Sequence, residues 1–326
     1  MEIIVLGSSA AIPMNNRNLP SIALRYKNEL ILFDCGEDLQ RRFIDAKLKF
    51  NKPMKIFISH FHGDHVIGLP GLLFRFGLIE RDAPLTIFGP RNLFLYLLLH
   101  SKILGLKTNY PLKVIEIDHE NEKLIEYTGL DREKSSQEIP INDKVIFDAR
   151  HYYVKYTVVD HSVLAFGYCF NEKPRKGKFN PEKAKELGIP EGRLWGKLHE
   201  GQEIELNGKL INSEKEGIVG PKRAGRKITY SGDTAPCENL INLGMNSDVL
   251  IHEATFSKEL KDIAKEKKHS TSTDAANVAV NMNAKKLLLT HLSSRYQEDS
   301  ELLLEDAQKI FANTLLATDL MEIPVK

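Results

Sequence analysis

The chain opens with short runs dominated by apolar residues and closed by Gly, Asn or charge: EIIVLG from Glu2, SIALRY from Ser21 and ELILFDCG from Glu29. Runs of this length and punctuation predict strands. The spacing then changes. In EDLQRRFIDAKLKF, Leu39, Phe43, Ala46 and Phe50 recur at helical intervals behind acidic Glu37 and Asp38, which predicts a helix starting at the acidic pair. MKIFIS predicts a strand, GLPGLLFRFGLI a helix, PLTIFGP a strand and RNLFLYLLLHSKIL a helix, so the first half alternates as an α/β fold does.

From about residue 112 to 170 the pattern is mainly β, with LKVIEID, KVIFDARHYY, VKYTVVDHS and LAFGYCF as hairpin-like pieces. Between Glu172 and Glu205 Lys, Pro and Gly crowd the chain and apolar periodicity fades. That stretch, 172–205, reads as an insertion projecting from a single domain spanning 1–326. Beyond it the strands KITYSGD, VLIHEA, KLLLTH and LATDLMEI alternate with the helices TSTDAANVAVNMN and DSELLLEDAQKIFAN. The two flanks read as α/β halves of one fold.

Composition adds exclusions. Hydrophobic residues at 42% and charged residues at 27% rule out a disordered or fibrous chain. The formal charge is only +1, so contact with nucleic acid must come from a local patch. One is visible: Lys173, Arg175, Lys176, Lys178, Lys183 and Lys185 stand against Glu182 alone between 173 and 185. Glu2 occupies a position where a secretory signal carries basic residues, and no segment approaches the roughly 18 to 20 apolar residues of a membrane span. Cys35, Cys169 and Cys237 are odd in number and lack CxxC spacing, which disfavours a disulfide framework and points to the cytoplasm.

The chemistry concentrates in ISHFHGDHVIGLPGLL. His60 and His62 are two apart just past a strand, so in extended backbone both can point one way, and Gly63 lets the chain turn to bring Asp64 and His65 to a neighbouring point. One metal cannot easily use all four, whereas two metals about 3.5 to 4 Å apart can. Imidazole with carboxylate suits zinc, with manganese or iron as weaker candidates. The remaining donors must come from elsewhere, and strand ends offer Asp233 after KITY, His291 after LLLT and His161 inside the β stretch VVDHSV. Taken singly, Asp233 reads equally as a turn cap and the two histidines as hydrogen-bonded core residues; as a set with the loop they complete a two-metal shell.

Nearly end to end the sequence resembles the metallo-β-lactamase superfamily and, within it, the ribonuclease Z family. GSSAAIPMNNRNLPSI, LFDCGE, SHFHGDHVIGLPGLL, DHSVLAFGY, GPKRAGRKITYSGDT, IHEATF, HSTSTDAA and LTHLSSRY occur in the family's order. HxHxDH identifies only the superfamily; HEATF, HST, THLSSRY and the Lys- and Gly-rich insertion are the more specific motifs. The resemblance implies an αββα sandwich with a flexible arm at 172–205, acting as a homodimeric endoribonuclease on precursor tRNA in the cytoplasm with no membrane partner. The alternative is another phosphodiesterase or hydrolase of the same fold acting on small molecules.

Carried onto this chain, the family pattern implies that His60, His62 and His161 hold one zinc, that Asp64, His65 and His291 hold the other, and that Asp233 bridges them. It implies further that Asp64 accepts a proton from the attacking water, that His269 donates one to the leaving oxygen, and that Glu253 orients His269. Lys173, Arg175, Lys176 and Lys178 of the arm become candidates for RNA phosphates, Phe179 or Trp195 for a base or sugar, and GPKRAGRK for a second basic strip. Asp38 and Leu39 stand where the family often has a small pair, and GSSAAIP replaces a more Gly-rich opening; neither departure touches a ligand.

Overall fold

Phe57 explains the layering. Along Met54–Phe57 and its continuation, Ile56 and Ile58 point to one face and Phe57 to the other, the two-residue period of a strand buried on both sides. The computed structural model describes residues 1–130 and 136–326, and places this strand at the centre of a nine-stranded sheet. In spatial order the strands are Glu322–Pro324, Glu2–Gly7, Ser21–Tyr26, Glu29–Phe33, Met54–Phe57, Leu85–Pro90, Leu112–Asp118, Lys123–Thr128 and Gln137–Pro140. A seven-stranded sheet runs Thr314–Leu316, Leu287–Thr290, Val249–Glu253, Lys227–Tyr230, Ala165–Glu172, Tyr152–Val159 and Val145–Asp148. Phe57 faces this second sheet, stacked on Phe88 at 4.7 Å and tilted against Tyr168 at 5.3 Å.

Helices close the outer faces. Leu39–Asp45, Gly68–Leu78 and Leu93–Leu104 cover the first sheet through Phe43, Leu72, Phe76 and Leu97, while Glu238–Gly244, Ser272–Asn281 and Glu301–Gln308 cover the second through Leu240, Ala275, Val278 and Leu303. The helix at Ser272 begins with a capping box, Thr271 and Asp274 each accepting from the other's backbone N–H. The main unit, residues 1–171 and 227–326, is thus an αββα sandwich. Within each sheet four neighbouring strands are parallel, so their C-terminal ends share one rim.

Several elements depart from the apolar pattern. The helix begun at Leu39 ends at Asp45, since Lys47 turns left-handed (φ 52°), and Phe50 packs on Phe43 from the following loop. LATDLMEI is not one strand: Thr314–Leu316 joins the second sheet and Glu322–Pro324 the first, with left-handed Leu320 (φ 66°) at the crossing. His161 lies past the strand end at Val159 rather than inside it.

The unit outside the sandwich is Glu172–Arg226, longer than the 172–205 that composition marks. It has its own small core of Ala184 and Leu198 from two short helices, Ile204 and Ile211 from the hairpin Ile204–Leu206/Lys209–Ile211, and Ile189 and Ile218 from the connecting loops. Its two ends run side by side: Arg175 and Arg223 exchange N–H···O bonds of 2.8 Å, and a Cβ on Gly177 would lie 1.7 Å from the Gly220 oxygen. Among the described residues no helix is long and apolar enough to cross a membrane.

Phe57 is fully buried between the sheets. Phe57→Ala is therefore expected to cost about 3–5 kcal/mol, read as a lower urea midpoint with an unchanged slope.

Candidate metal centre

The rim of the sandwich is where the strands release their chemically active residues. Met54–Phe57 leads to His60 and His62, Tyr152–Val159 to His161, Lys227–Tyr230 to Asp233, and Leu287–Thr290 to His291; the short helix Gly63–Val66 carries Asp64 and His65. Two groups of donor atoms result. His60, His62, His161 and Asp233 form one, and Asp64, His65 and His291 the other; Asp233, His269 and His291 also come within reach of one another. Asp233 Oδ2 stands 3.3 Å from both His65 Nε2 and His291 Nε2 and 3.7 Å from His60 Nε2, so one carboxylate oxygen faces both groups.

The hydrogen-bond network settles which imidazole nitrogen each histidine presents. His65 Nδ1 donates to Asp34 Oδ2 (2.8 Å), His161 Nδ1 to the Lys268 carbonyl (3.0 Å), and His291 Nδ1 to Thr255 Oγ1 (2.8 Å). Ser59 Oγ donates to Asp34 (2.7 Å) and so accepts from His60 Nδ1 (2.9 Å). Each of these four rings therefore has Nδ1 committed outward and turns Nε2 inward. His60 Nε2 and His161 Nε2 lie 3.1 and 3.2 Å from His62 Nδ1, so three ring nitrogens converge on one point, and with His62 Nδ1 unprotonated all three offer lone pairs there. Such an arrangement is repulsive unless a cation lies among them, and ligands at about 2.0–2.1 Å in a tetrahedron are themselves roughly 3.3 Å apart.

The protonation states agree. Burial, reinforced by neighbouring imidazoles, holds His60 well below the usual histidine range, and burial lowers His161, so both favour the neutral form that binds metal. Burial pushes Asp64 and Asp233 up, but His291 and His65 outweigh it and both carboxyls lie below their ordinary range. Burial opposes charge on His65 too, yet Asp233 and Asp34 raise it: the centre calls for positive charge. The donor set fits two divalent cations.

Beside this centre His269 donates from Nδ1 to Glu253 Oε1 at 2.7 Å. Burial lowers the His269 pKa, and the Glu253 carboxylate more than reverses this, lifting it to about 9. Glu253 is itself pinned by the Thr234 N–H (2.8 Å) and the Thr255 hydroxyl (2.6 Å).

Relatives align with this chain from end to end. It is 38% identical over 325 residues to the ribonuclease Z of Methanosarcina mazei, covering 100% of this chain and 98% of the relative, and 40% identical to that of Archaeoglobus fulgidus, covering 99% and 97%. The chain belongs to the ribonuclease Z family. The crystal structure of the short form of human tRNase Z is similar over the full length of both chains, with 27% identity and a TM-score of 0.66. The profile of a family described as anti-Pycsar protein Apyc1 matches residues 1–162.

Within this ribonuclease Z sandwich, the residue that pattern reading passed over is Asp34. Its carboxylate accepts from the Ser59 N–H (2.6 Å), the Ser59 hydroxyl, His65 Nδ1 and the Tyr230 hydroxyl (2.7 Å), with its own backbone left-handed (φ 59°). The available signal was a lone acid closing an apolar strand in LFDCGE. Thr255, which serves both Glu253 and His291, and the Ala11 N–H, which donates to Asp64 Oδ2 (2.8 Å), were also missed.

In the Glu172–Arg226 unit, Lys173, Arg175, Lys176 and Lys178 occupy one leg and Lys222, Arg223 and Arg226 the other, with Glu172 the only acid on either. Phe179 and Trp195 are not free platforms: they pack on each other at 5.2 Å, and Trp195 Nε1 donates to the Ile189 carbonyl.

Asp34→Asn removes the negative charge and turns one of the two acceptor oxygens into a donor NH2, which weakens the hold on His65. Zinc affinity is expected to fall about 10- to 100-fold, measured by equilibrium dialysis with elemental analysis.

Proposed function

We propose that the chain is a metal-dependent endoribonuclease that cuts the 3′ trailer from precursor tRNA, leaving a 3′-hydroxyl on the tRNA and a 5′-phosphate on the trailer. The observation that carries this reading is the Glu253–His269 pair seated beside the two donor groups, in a chain that aligns end to end with ribonuclease Z relatives. His60, His62 and His161 would hold one zinc ion, Asp64, His65 and His291 the second, and Asp233 would serve both groups. Cations bound there lower the pKa of water to roughly 7 and offset charge on the phosphoryl oxygens.

The chain's own groups supply the rest. Water adds to the trailer's phosphorus as the bond to O3′ of the tRNA breaks, with Asp64 placed to accept the proton that water releases. O3′ leaves as an alkoxide and needs a proton. His269, with Nδ1 committed to Glu253, offers Nε2, and its raised pKa keeps the proton in place at neutral pH. Glu253, fixed by Thr234 and Thr255, orients the ring and stays ionised.

The Glu172–Arg226 unit binds the tRNA through its basic legs, and the chain works as a homodimer. Supporting a dimer, Leu95, Leu99 and Ile103 are 41%, 46% and 76% exposed along one stripe of the helix Leu93–Leu104. Three unbridged cysteines suit the reducing cytoplasm.

Asp233→Ala is expected to abolish cleavage of a labelled precursor tRNA and lower the bound zinc, and a chelator to stop the wild type until zinc is restored; an active Asp233→Ala protein overturns the metal mechanism. His269→Ala should lower kcat by about 10²–10⁴-fold with the bound zinc retained.

The basic legs separate this activity from hydrolysis of small phosphodiesters. Combined Lys176→Ala, Lys178→Ala and Lys222→Ala should weaken tRNA cleavage and flatten its salt dependence by about 0.7–0.9 in log–log slope per lost phosphate contact. Turnover of bis(p-nitrophenyl) phosphate should be unchanged; equal loss of both activities favours the small-molecule reading.

A further inference from the structure

Lys268 and Asp160 each precede a residue of the centre, Lys268 before His269 and Asp160 before His161. Their side chains meet, Nζ 3.0 Å from Oδ1. Lys268 also closes the helix Lys261–Glu266: its N–H donates to the Lys265 carbonyl, the His269 N–H reaches back to Ala264 at 2.8 Å, and Lys268 itself is left-handed (φ 54°). A non-glycine residue held in that region is strained. The turn aims the Lys268 carbonyl at His161 Nδ1, 3.0 Å away, and that acceptor commits the ring to presenting Nε2 inward.

Asp160 is equally tied. Its N–H donates to Thr234 Oγ1 (3.2 Å) and its carbonyl accepts from the Ala235 N–H (2.8 Å), just after Asp233. Ser270 Oγ donates to the Thr234 carbonyl at 2.6 Å, closing the circuit. Three loops, carrying His161, Asp233 and His269, are thus joined through one lysine and its partner.

We propose that the Asp160–Lys268 ion pair is a latch, with Lys268 a positioning residue that holds the His161 ring and the His269 loop in register. The inference rests on the metal and proton-donor roles assigned above. Both side chains are about half exposed, so the pair contributes little energy to global stability. The same energy spent on one loop, already strained, decides whether the carbonyl stays on His161.

The test uses full-length zinc-loaded protein with Lys268→Met, Asp160→Asn, the double variant, and the exchanged pair Asp160→Lys with Lys268→Asp. Each single variant is expected to lose about 2- to 5-fold in zinc affinity and in kcat, with KM for precursor tRNA and the thermal midpoint unchanged. The double variant should be no worse than either single one, because both break one contact, and the exchanged pair should recover most of the loss. Unchanged zinc affinity in the single variants, or losses that multiply in the double, overturns the latch. A rise in KM with kcat intact also overturns it, since Lys268 would then be a direct RNA contact. Zinc affinity is read without RNA, so a wild type that binds zinc but cuts no tRNA defeats the ribonuclease reading while leaving the latch to stand or fall on its own numbers.

Discussion

The centre depends on a buried carboxylate that, among the described residues, has no lysine or arginine in its hydrogen bonds. Asp34 is fully enclosed, and a bare charge there would cost several kcal/mol. It is met instead by donors from three places: the Ser59 backbone and hydroxyl on the ligand loop, the His65 imidazole on the ligand helix, and the Tyr230 hydroxyl from the opposite sheet. Hydrogen bonds to a charged acceptor are roughly twice as strong as neutral ones, so the four together offset the burial and tie both sheets to one point. Tyr168 adds a second tie across the sandwich, its hydroxyl donating to the Ile58 carbonyl at 2.6 Å, two residues before His60.

Why the donors collect where they do follows from the parallel strands. A parallel sheet releases several chains at one edge, and the first residue beyond each strand has left the ladder and is free to take an unusual backbone. Asp34 and His291 both do so, at φ 59° and 58°. Strain of this kind persists only where surroundings over-determine it, and here they do: the Cys35 N–H donates to the His65 carbonyl at 2.7 Å, and Gly68 passes so close to Gly36 that a Cβ would lie 1.9 Å from its oxygen. Precision at the metal site is thus a property of packing several residues away.

The sequence announces the parts of this arrangement that repeat or cluster. Strands such as Met54–Phe57 and the helix Gly68–Leu78 appear as runs and periods because each buries a continuous face. The histidine loop stands out because four donors share six positions. Asp34 and Thr255 stand out in no such way: each is a single polar residue whose role exists only once partners dozens or hundreds of positions away arrive. The split of LATDLMEI was hidden for a related reason, since the two short strands join different sheets and nothing local marks the crossing. The core of the Glu172–Arg226 unit escaped because it is assembled from single residues of many short pieces, none long enough to carry a period.

The charge distribution has a consequence for how an RNA is engaged. A chain of net charge +1 exerts little long-range pull, and at physiological ionic strength exposed charges are screened beyond about 8 Å. Seven cations on two adjacent legs therefore act at contact rather than at a distance. The centre has a different character: it buries carboxylates held ionised beside imidazoles such as His60 that favour the neutral form, a donor set that calls for cations. The basic legs and the donor set thereby lie in separate compact units, so in the proposed reading grip and chemistry are housed apart. Substrate affinity can change through the legs without altering donor geometry, and metal affinity can change through residues such as Asp34 without altering the grip.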